Sequence, residues 1–374
     1  MEKKILISSI IIILLIIIVV VTVKIISKKD NKSITILEKT DEISVVPTMN
    51  DKITTDSSWC GTFQLVWNDM KNEVVKKDVV FTPQLKIAEN LNKEDFNETM
   101  LSEEYYYKIY GLKTLDLKRK IENGIKEKFN QTSDILNDFD WSENGLNNPN
   151  DIGSRRYFFY TMLFRKFEFL QEFDKLDNDK FGNEHKNIKY FGIDKNTKDS
   201  IGSQIKVMYY NSKDDFAVLI NTKTNDEVIF CKNPKGSSFN EIYTNMNNEA
   251  TKYKGDKSFK SIDEFKAPNL TFDEKKEYKE LEGKRFQTAD PIYTEGEIYK
   301  AIQTIKLSLD EKGGEIKSEA AIDMKVDATA INTKPKKEEP RYFYVDNTFA
   351  LFLREKGKEK PYFAGRIDDI TKFQ

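Results

Sequence analysis

His185 is the only histidine in the chain, and Cys60 and Cys231 are its only cysteines. There is no CxxC pair and no His/Cys cluster, so the spacing needed for a structural zinc, a haem or a dithiol redox centre is absent. Most hydrolytic triads would have to recruit His185. It lies in the polar run Gly182-Asn183-Glu184-His185-Lys186-Asn187 and reads as a solvated loop residue. Serine, aspartate and glutamate are plentiful, but no spacing singles out a catalytic site; no enzyme, cofactor or metal is expected. Cys60 and Cys231 read either as a pair or as two unrelated thiols. Lysine and arginine number 60 against 62 aspartates and glutamates, a formal net charge of -2, which leaves no electrostatic footprint for a nucleic-acid partner.

The residues that do carry a pattern lie near the C-terminus. Gly314, Ile316, Ser318, Ala320, Ile322, Met324, Val326, Ala328 and Ala330 share one side of an alternation. Glu315, Lys317, Glu319, Ala321, Asp323, Lys325, Asp327 and Thr329 share the other. Period two with one apolar face describes a half-buried strand. At ~3.3 Å per residue it would run roughly 56 Å, far beyond an ordinary strand, so it needs a large sheet to join. What such a segment offers is mechanical: burying Ile316, Ile322, Met324 and Val326 would release roughly 6–12 kcal/mol at about 1.5–3 kcal/mol each.

The rest of the chain must supply that sheet. Its 374 residues allow one large domain or two ordinary ones. Phe63, Leu65, Val66, Met70 and Val74 fall at helical spacing and predict a first helix from Trp59 onward. Phe81-Thr82-Pro83 breaks the chain, and Leu85, Ile87, Ala88 and Leu91 begin a second helix. Leu117, Ile121, Ile125 and Phe129 stripe a third over 115–129. After a loop at 144–153, β-branched and aromatic runs predict strands at 157–169, 205–210, 216–220, 228–231, 301–309, 342–353 and 362–367. Helices concentrated in the N-terminal third and irregularly spaced strands give an α+β class with large mixed or antiparallel sheets. No repeat with a period of 20–50 residues is visible.

Residues 1–26 read as an N-terminal membrane anchor. At ~1.5 Å per residue the uncharged run 5–23 is long enough for the ~30 Å hydrocarbon core. Lys3 and Lys4 precede it, Lys24, Lys28 and Lys29 follow, and no small-residue cleavage site ends it. The expectation is a single-pass, signal-anchored protein of the cell membrane with its main domain extracellular. Residues 27–56 read as a polar stalk and 57–374 as the folded body. The abundance of Ile, Lys and Asn looks like codon bias in an AT-rich bacterial genome.

Two stretches bring a family into view. Ile302-Gln303-Thr304-Ile305-Lys306-Leu307-Ser308-Leu309-Asp310-Glu311-Lys312-Gly313 resembles the strand and hinge before a serpin reactive-centre loop. Val345-Asp346-Asn347-Thr348-Phe349 and Pro361-Tyr362-Phe363-Ala364-Gly365-Arg366-Ile367 resemble the two central strands that close the serpin fold. Val80-Phe81-Thr82-Pro83, residues 120–136, residues 160–173 and Ala267-Pro268-Asn269-Leu270 extend the likeness more weakly. The resemblance implies a divergent bacterial serpin-like protein. It makes 313–340 the reactive loop and inserting strand, with Glu311, Gly313, Gly314, Ser318, Ala320 and Ala321 as its hinge. Counting from Glu311 as the family does puts the scissile bond at Asp327-Ala328, within a window of 325–334. Three departures stand out. Gly314-Glu315-Ile316-Lys317 occupies a place where small hinge residues are expected, the loop is longer, and Thr161 stands where the family has a buried asparagine.

Two functions follow from this resemblance. One is a membrane-tethered suicide inhibitor of a serine or cysteine protease, whose target cuts the loop and is trapped when the strand inserts. The other is a non-inhibitory serpin-fold binding or structural protein at the cell surface, favoured by the bulk of Ile316 and Lys317 beside the hinge. An unrelated anchored α+β domain is the remaining reading.

Overall fold

Phe349-Ala350-Leu351-Phe352-Leu353 has no polar break, and a strand built from it needs cover on both faces. The computed structural model, which describes residues 43–183, 185–193, 199–317 and 339–374, provides that cover. The chain divides after Asp41, and the unit Glu42–Gln374 holds every described residue.

Along the chain come β1 (Ser44–Val45), β2 (Ser57–Cys60), helix α1 (Thr62–Asp69) with a wider turn over Met70–Val75, and α2 (Lys86–Lys93). β3 (Tyr107–Leu112), α3 (Leu115–Phe129), β4 (Tyr157–Met162), β5 (Arg165–Glu168), β6 (Asp174–Phe181) and β7 (His185–Ile193) follow. The short α4 (Asp199–Gly202) leads to β8 (Ile205–Ser212), β9 (Asp215–Asn221), β10 (Asp226–Lys232) and α5 (Phe239–Lys252). Next are β11 (Glu264–Pro268), β12 (Leu270–Glu277), β13 (Arg285–Gln287), β14 (Glu295–Glu297) and β15 (Ile302–Asp310). β16 (Gly313–Lys317), β17 (Tyr342–Tyr344), β18 (Phe349–Glu355) and β19 (Phe363–Ile367) complete the set.

Three sheets carry the α+β fold. The largest has the order β1-β2-β19-β18-β10-β9-β8, with β18 antiparallel to both neighbours; Phe349 to Leu353 are fully buried. A second has the order β17-β11-β7-β6 and a third the order β12-β15-β16-β5, the latter antiparallel throughout. One apolar core joins all three, with Phe230 and Leu351 from the first, Phe191 and Phe265 from the second, and Phe167, Ile305, Leu307 and Ile316 from the third. Helix α3 starts where the Thr114 hydroxyl caps the Leu117 N–H at 3.1 Å, and it buries Leu117, Ile121 and Ile125 against Phe158 and Tyr160 of β4.

Several expectations need correction. The predicted strand 157–169 is two strands, because β4 pairs with β3 while β5 pairs with β16. The run 342–353 likewise divides, β17 joining β11 and β18 crossing to the largest sheet. Helices are not confined to the N-terminal third. α5 is capped by Ser238, whose hydroxyl accepts the Glu241 N–H at 3.2 Å, and Phe239, Ile242, Tyr243 and Met246 form its buried face. Its asparagine-rich composition hides that stripe. Residues 43–56 are not stalk, because Ile43, Val45, Val46, Met49 and Ile53 are buried in the main core. His185 is not in a loop: it opens β7 opposite Phe181, with Nε2 3.2 Å from Asp369 Oδ1. Cys60 and Cys231 are both buried and are not joined to each other. Among the described residues no helix is long and apolar enough to cross a membrane, and the run 5–23 lies outside them. The expected single-pass, cell-membrane localisation, with the membrane as a partner, is therefore withdrawn and none is assigned.

Candidate functional site

Of the expected hinge residues, Glu311 lies with Lys312 in the tight turn between β15 and β16, and Gly313 and Gly314 open β16. Asp310 and Gly313 are opposite each other across it, and the Lys312 N–H donates to Asp310 Oδ1 at 2.9 Å. Gly313 has φ +144°, a region side chains rarely adopt, and a Cβ there would lie 2.1 Å from the Phe167 carbonyl oxygen. Glycine is what lets the turn press against β5. The tip is stapled down: the Phe169 and Phe173 N–H groups donate to the carbonyls of Lys312 and Glu311, each at 2.9 Å. The buried Glu311 carboxylate lies 3.1 Å from Lys175 Nζ.

β16 is therefore paired on both edges. Gly314 and Ile316 face Leu309 and Leu307 on β15, and Phe167 and Arg165 on β5. The predicted alternation holds here, with Ile316 fully buried while Glu315 and Lys317 are partly exposed. The last pair on the β15 side sets Lys317 opposite Lys306, an unfavourable match. Lys306 finds Asp273 at 2.8 Å and Asp134 at 3.5 Å, and Lys317 Nζ donates to the Thr132 carbonyl at 3.1 Å. The hydrogen bond with Asp273 holds the Lys306 ammonium above its ordinary range.

A cavity of ≈ 300 Å³ is lined by residues 302–304 and Lys306 of β15, by residues 160–163, by Thr62 and Phe63 of α1, by residues 132–135 and Asp138 after α3, and by Lys317. β15 is paired with β12 along its length but with β16 only from Lys306 to Asp310. β4 is paired with β3 on its other edge. Residues of both strands line one cavity beside Lys317, the last described residue of β16. The Thr161 hydroxyl is buried and has no hydrogen-bond partner among the described residues. Gln303 is fully engaged, accepting the Tyr278 hydroxyl at 2.8 Å and donating to the Cys60 carbonyl and Thr62 Oγ1. The segment after α3 is tied across this region by the Lys306–Asp134 and Lys275–Asp138 ion pairs. The arrangement has the hydrogen-bonding edges and the room to accept an extended chain.

Ser318, Ala320 and Ala321 of the expected hinge, and the expected scissile pair Asp327 and Ala328, lie outside the described residues. A residue that sequence reasoning passed over is Arg165, fully buried at the start of β5. Its Nε is 2.5 Å from Asp226 Oδ1 and its Nη1 3.0 Å from Glu355 Oε2. Tyr105 lies over the guanidinium at 3.8 Å, and the Tyr362 hydroxyl donates to Asp226 at 2.8 Å. Burial pushes the Asp226 carboxyl up against the pull of Arg165. Burial also opposes ionisation of Glu355, yet hydrogen bonds from Ser102 and Arg165 hold it below its ordinary range. The signal was available: on a period-two strand Arg165 shares a face with Phe167 and Phe169, both buried.

No protein-family model and no curated protein matches the sequence. Among solved structures the chain is similar to thyroxine-binding globulin in complex with thyroxine, at 12% identity and a TM-score of 0.44, over 84% of this chain and 93% of that one. It is similar to Serpin48 of the insect Tenebrio molitor at 16% identity and a TM-score of 0.36, over 72% and 78% of the two chains. It is also similar to cleaved Serpin 42Da at 12% identity and a TM-score of 0.42, over 72% and 77%. The bacterial origin suggested by composition finds no support among them.

Proposed function

We propose that this chain is a serpin-like protein that inhibits a serine or cysteine protease by loop cleavage and strand insertion. The observation that carries the reading is the position of β16, seated between β15 and β5 beside a cavity lined by Lys317 and residues 302–304. The resemblance of residues 302–313 and of the closing strands to serpins supports it independently. In this reading the protease attacks the loop between 325 and 334, near Asp327-Ala328. The freed segment then extends β16 with Ser318, Ala320, Ile322, Met324 and Val326 on the face begun by Gly314 and Ile316. Each large apolar side chain buried adds about 1.5–3 kcal/mol, which offsets the ordering of the segment. The inhibitor needs no catalytic residue of its own.

A non-inhibitory binding protein of the same fold is the second reading. It is favoured by the depth to which β16 is already paired, through Ile316 on β5 and Lys317 on β15. Incubation with serine and cysteine proteases separates the two. The inhibitor should form an SDS-resistant one-to-one adduct with its target, and Ser318→Asp with Ala320→Asp should turn it into a plain substrate, because inward carboxylates would be buried unpaired. Simple turnover of the unaltered chain by every protease that cuts the loop contradicts inhibition.

A further inference from the structure

Tyr157-Phe158-Phe159-Tyr160 has no polar break, so β4 needs cover on both faces, as β18 does. It receives it on one. Phe158 and Tyr160 are buried against α3, while Tyr157 and Phe159 alternate to the other face and stay half-buried. Opposite them on β3 stand Leu112 and Tyr110, each 39% exposed. The rings on this face are nearly parallel, Tyr110 to Phe159 at 16° and 5.7 Å and Tyr157 to Phe159 at 29° and 6.4 Å.

The loop of the β13–β14 hairpin and the chain after it extend this surface. Arg155 lies 4.6 Å from the Tyr293 ring and Arg156 4.2 Å from the Tyr299 ring, and the Tyr293 hydroxyl donates to the Ile152 carbonyl at 3.4 Å. Tyr299 is 62% exposed, Ile292 75% and Ile152 87%. With Tyr110 and Leu112 these make half of the exposed large apolar side chains among the described residues, gathered in one patch on the order of 500 Å². Monomers rarely leave more than that uncovered, and a standard interface takes about 800 Å² per partner once its polar rim is counted.

The rim charges decide the partner. Arg155 rests on tyrosine, Arg156 on tyrosine and the Asn144 carbonyl at 3.1 Å, and neither makes an ion pair among the described residues. The nearby carboxylates are held at hydrogen-bond distance by neutral donors. Glu73 accepts the Tyr110 hydroxyl at 3.1 Å, and Asp151 accepts the Gly153 N–H at 2.9 Å and the Ser154 hydroxyl at 2.6 Å. Asp290 accepts the Ile292 and Tyr293 N–H groups at 2.8 and 2.9 Å. A strongly acidic or strongly basic partner would meet like charge on such a rim. A face that carries both signs is complementary to its own copy, because under a two-fold axis the arginines of each chain meet the carboxylates of the other.

We propose that this face is an interface between two copies of the chain, with the aromatic strip at its centre and Arg155, Arg156, Glu73 and Asp151 on its rim. It does not depend on how the segment after Lys317 is used.

The test is sedimentation velocity of the full chain from about 1 to about 100 μM, where a dimer is expected. Ile292→Asp with Tyr299→Asp should weaken it at least about tenfold. Ile262→Asp, at an exposed apolar residue in the turn before β11, should leave it unchanged. Arg155→Glu with Arg156→Glu should weaken the dimer, and so should Glu73→Lys with Asp151→Lys. Mixed one to one, these two charge-swapped chains should associate more tightly than either does alone. A monomer throughout the range overturns the proposal. So does a dimer that survives Ile292→Asp with Tyr299→Asp, or a pair of charge-swapped chains that gains nothing on mixing.

Discussion

The largest sheet and the β12-β15-β16-β5 sheet are built from the same antiparallel ladders and share one apolar core, but they are completed differently. In the largest sheet β18 is paired with β10 along its whole length and with β19 from Phe349 to Leu353. In the other, β15 is paired with β12 from end to end, while among the described residues its pairing with β16 runs only from Lys306 to Asp310, and a cavity of ≈ 300 Å³ lies beside residues 302–304. A strand edge without a partner is a site where another strand can add. Among the described residues, the first sheet has its hydrogen bonds and packing complete around β18, while the second borders a cavity.

The two sheets meet at Arg165, and breaking that junction should have the largest effect. Arg165→Met alone leaves Asp226 and Glu355 buried without their cation and should cost about 3–5 kcal/mol in urea unfolding. A loss under about 1 kcal/mol would mean that the carboxylates are not held in a dry interior.

Cavity-forming substitutions sharpen the comparison. Leu351→Ala and Ile316→Ala remove similar fully buried side chains from the two sheets. Both fall in the range of about 2–5 kcal/mol, with Leu351→Ala near the top and Ile316→Ala near the bottom, since the next residue, Lys317, lines the cavity and a strand bordering a gap relaxes more readily. Equal losses, measured by the same denaturant titration, would argue that the cavity wall is as rigid as the closed sheet.

The smallest effect is on pH dependence. Glu355 is held below its ordinary value of 4.5, so its contribution is complete above that pH and is lost as the pH falls through the lowered value. Glu355→Gln should therefore cost about 1.5–3 kcal/mol at neutral pH, and the gap from the unaltered chain should close on acidification below 4.5. Asp226 is shifted the other way, so its ionisation opposes folding as the pH rises; a gain in stability on acidification shared by both chains would show that Asp226 dominates the cluster.

Much of this contrast was legible in the residues. Alternation marked the start of β16, β-branched and aromatic runs marked β15, β18 and β19, and the family resemblance set an expected hinge at Glu311, Gly313 and Gly314, where β15 turns into β16. What escaped has identifiable causes. Strand periodicity cannot tell that 157–169 changes partners at Leu163, because both halves alternate in the same way. The residues 43–56 look polar on average, and only folding shows that Ile43, Val45, Met49 and Ile53 all meet the core. Arg165 was overlooked because arginine is usually a surface residue and because one of its partners, Glu355, is 190 positions away. The ion-pair cluster that joins the two sheets is a product of topology, with no local motif to announce it.

In the proposed function the chain that follows Lys317 joins the sheet beside β16. Melting of the protein before and after a single cut near Asp327 tests this most directly. Insertion predicts that the cut form melts higher by roughly 10 °C or more, several kcal/mol at about 2–4 °C each. Ser318→Asp with Ala320→Asp should abolish the gain. A cut form that melts at the same temperature as the intact chain, or below it, would contradict the account.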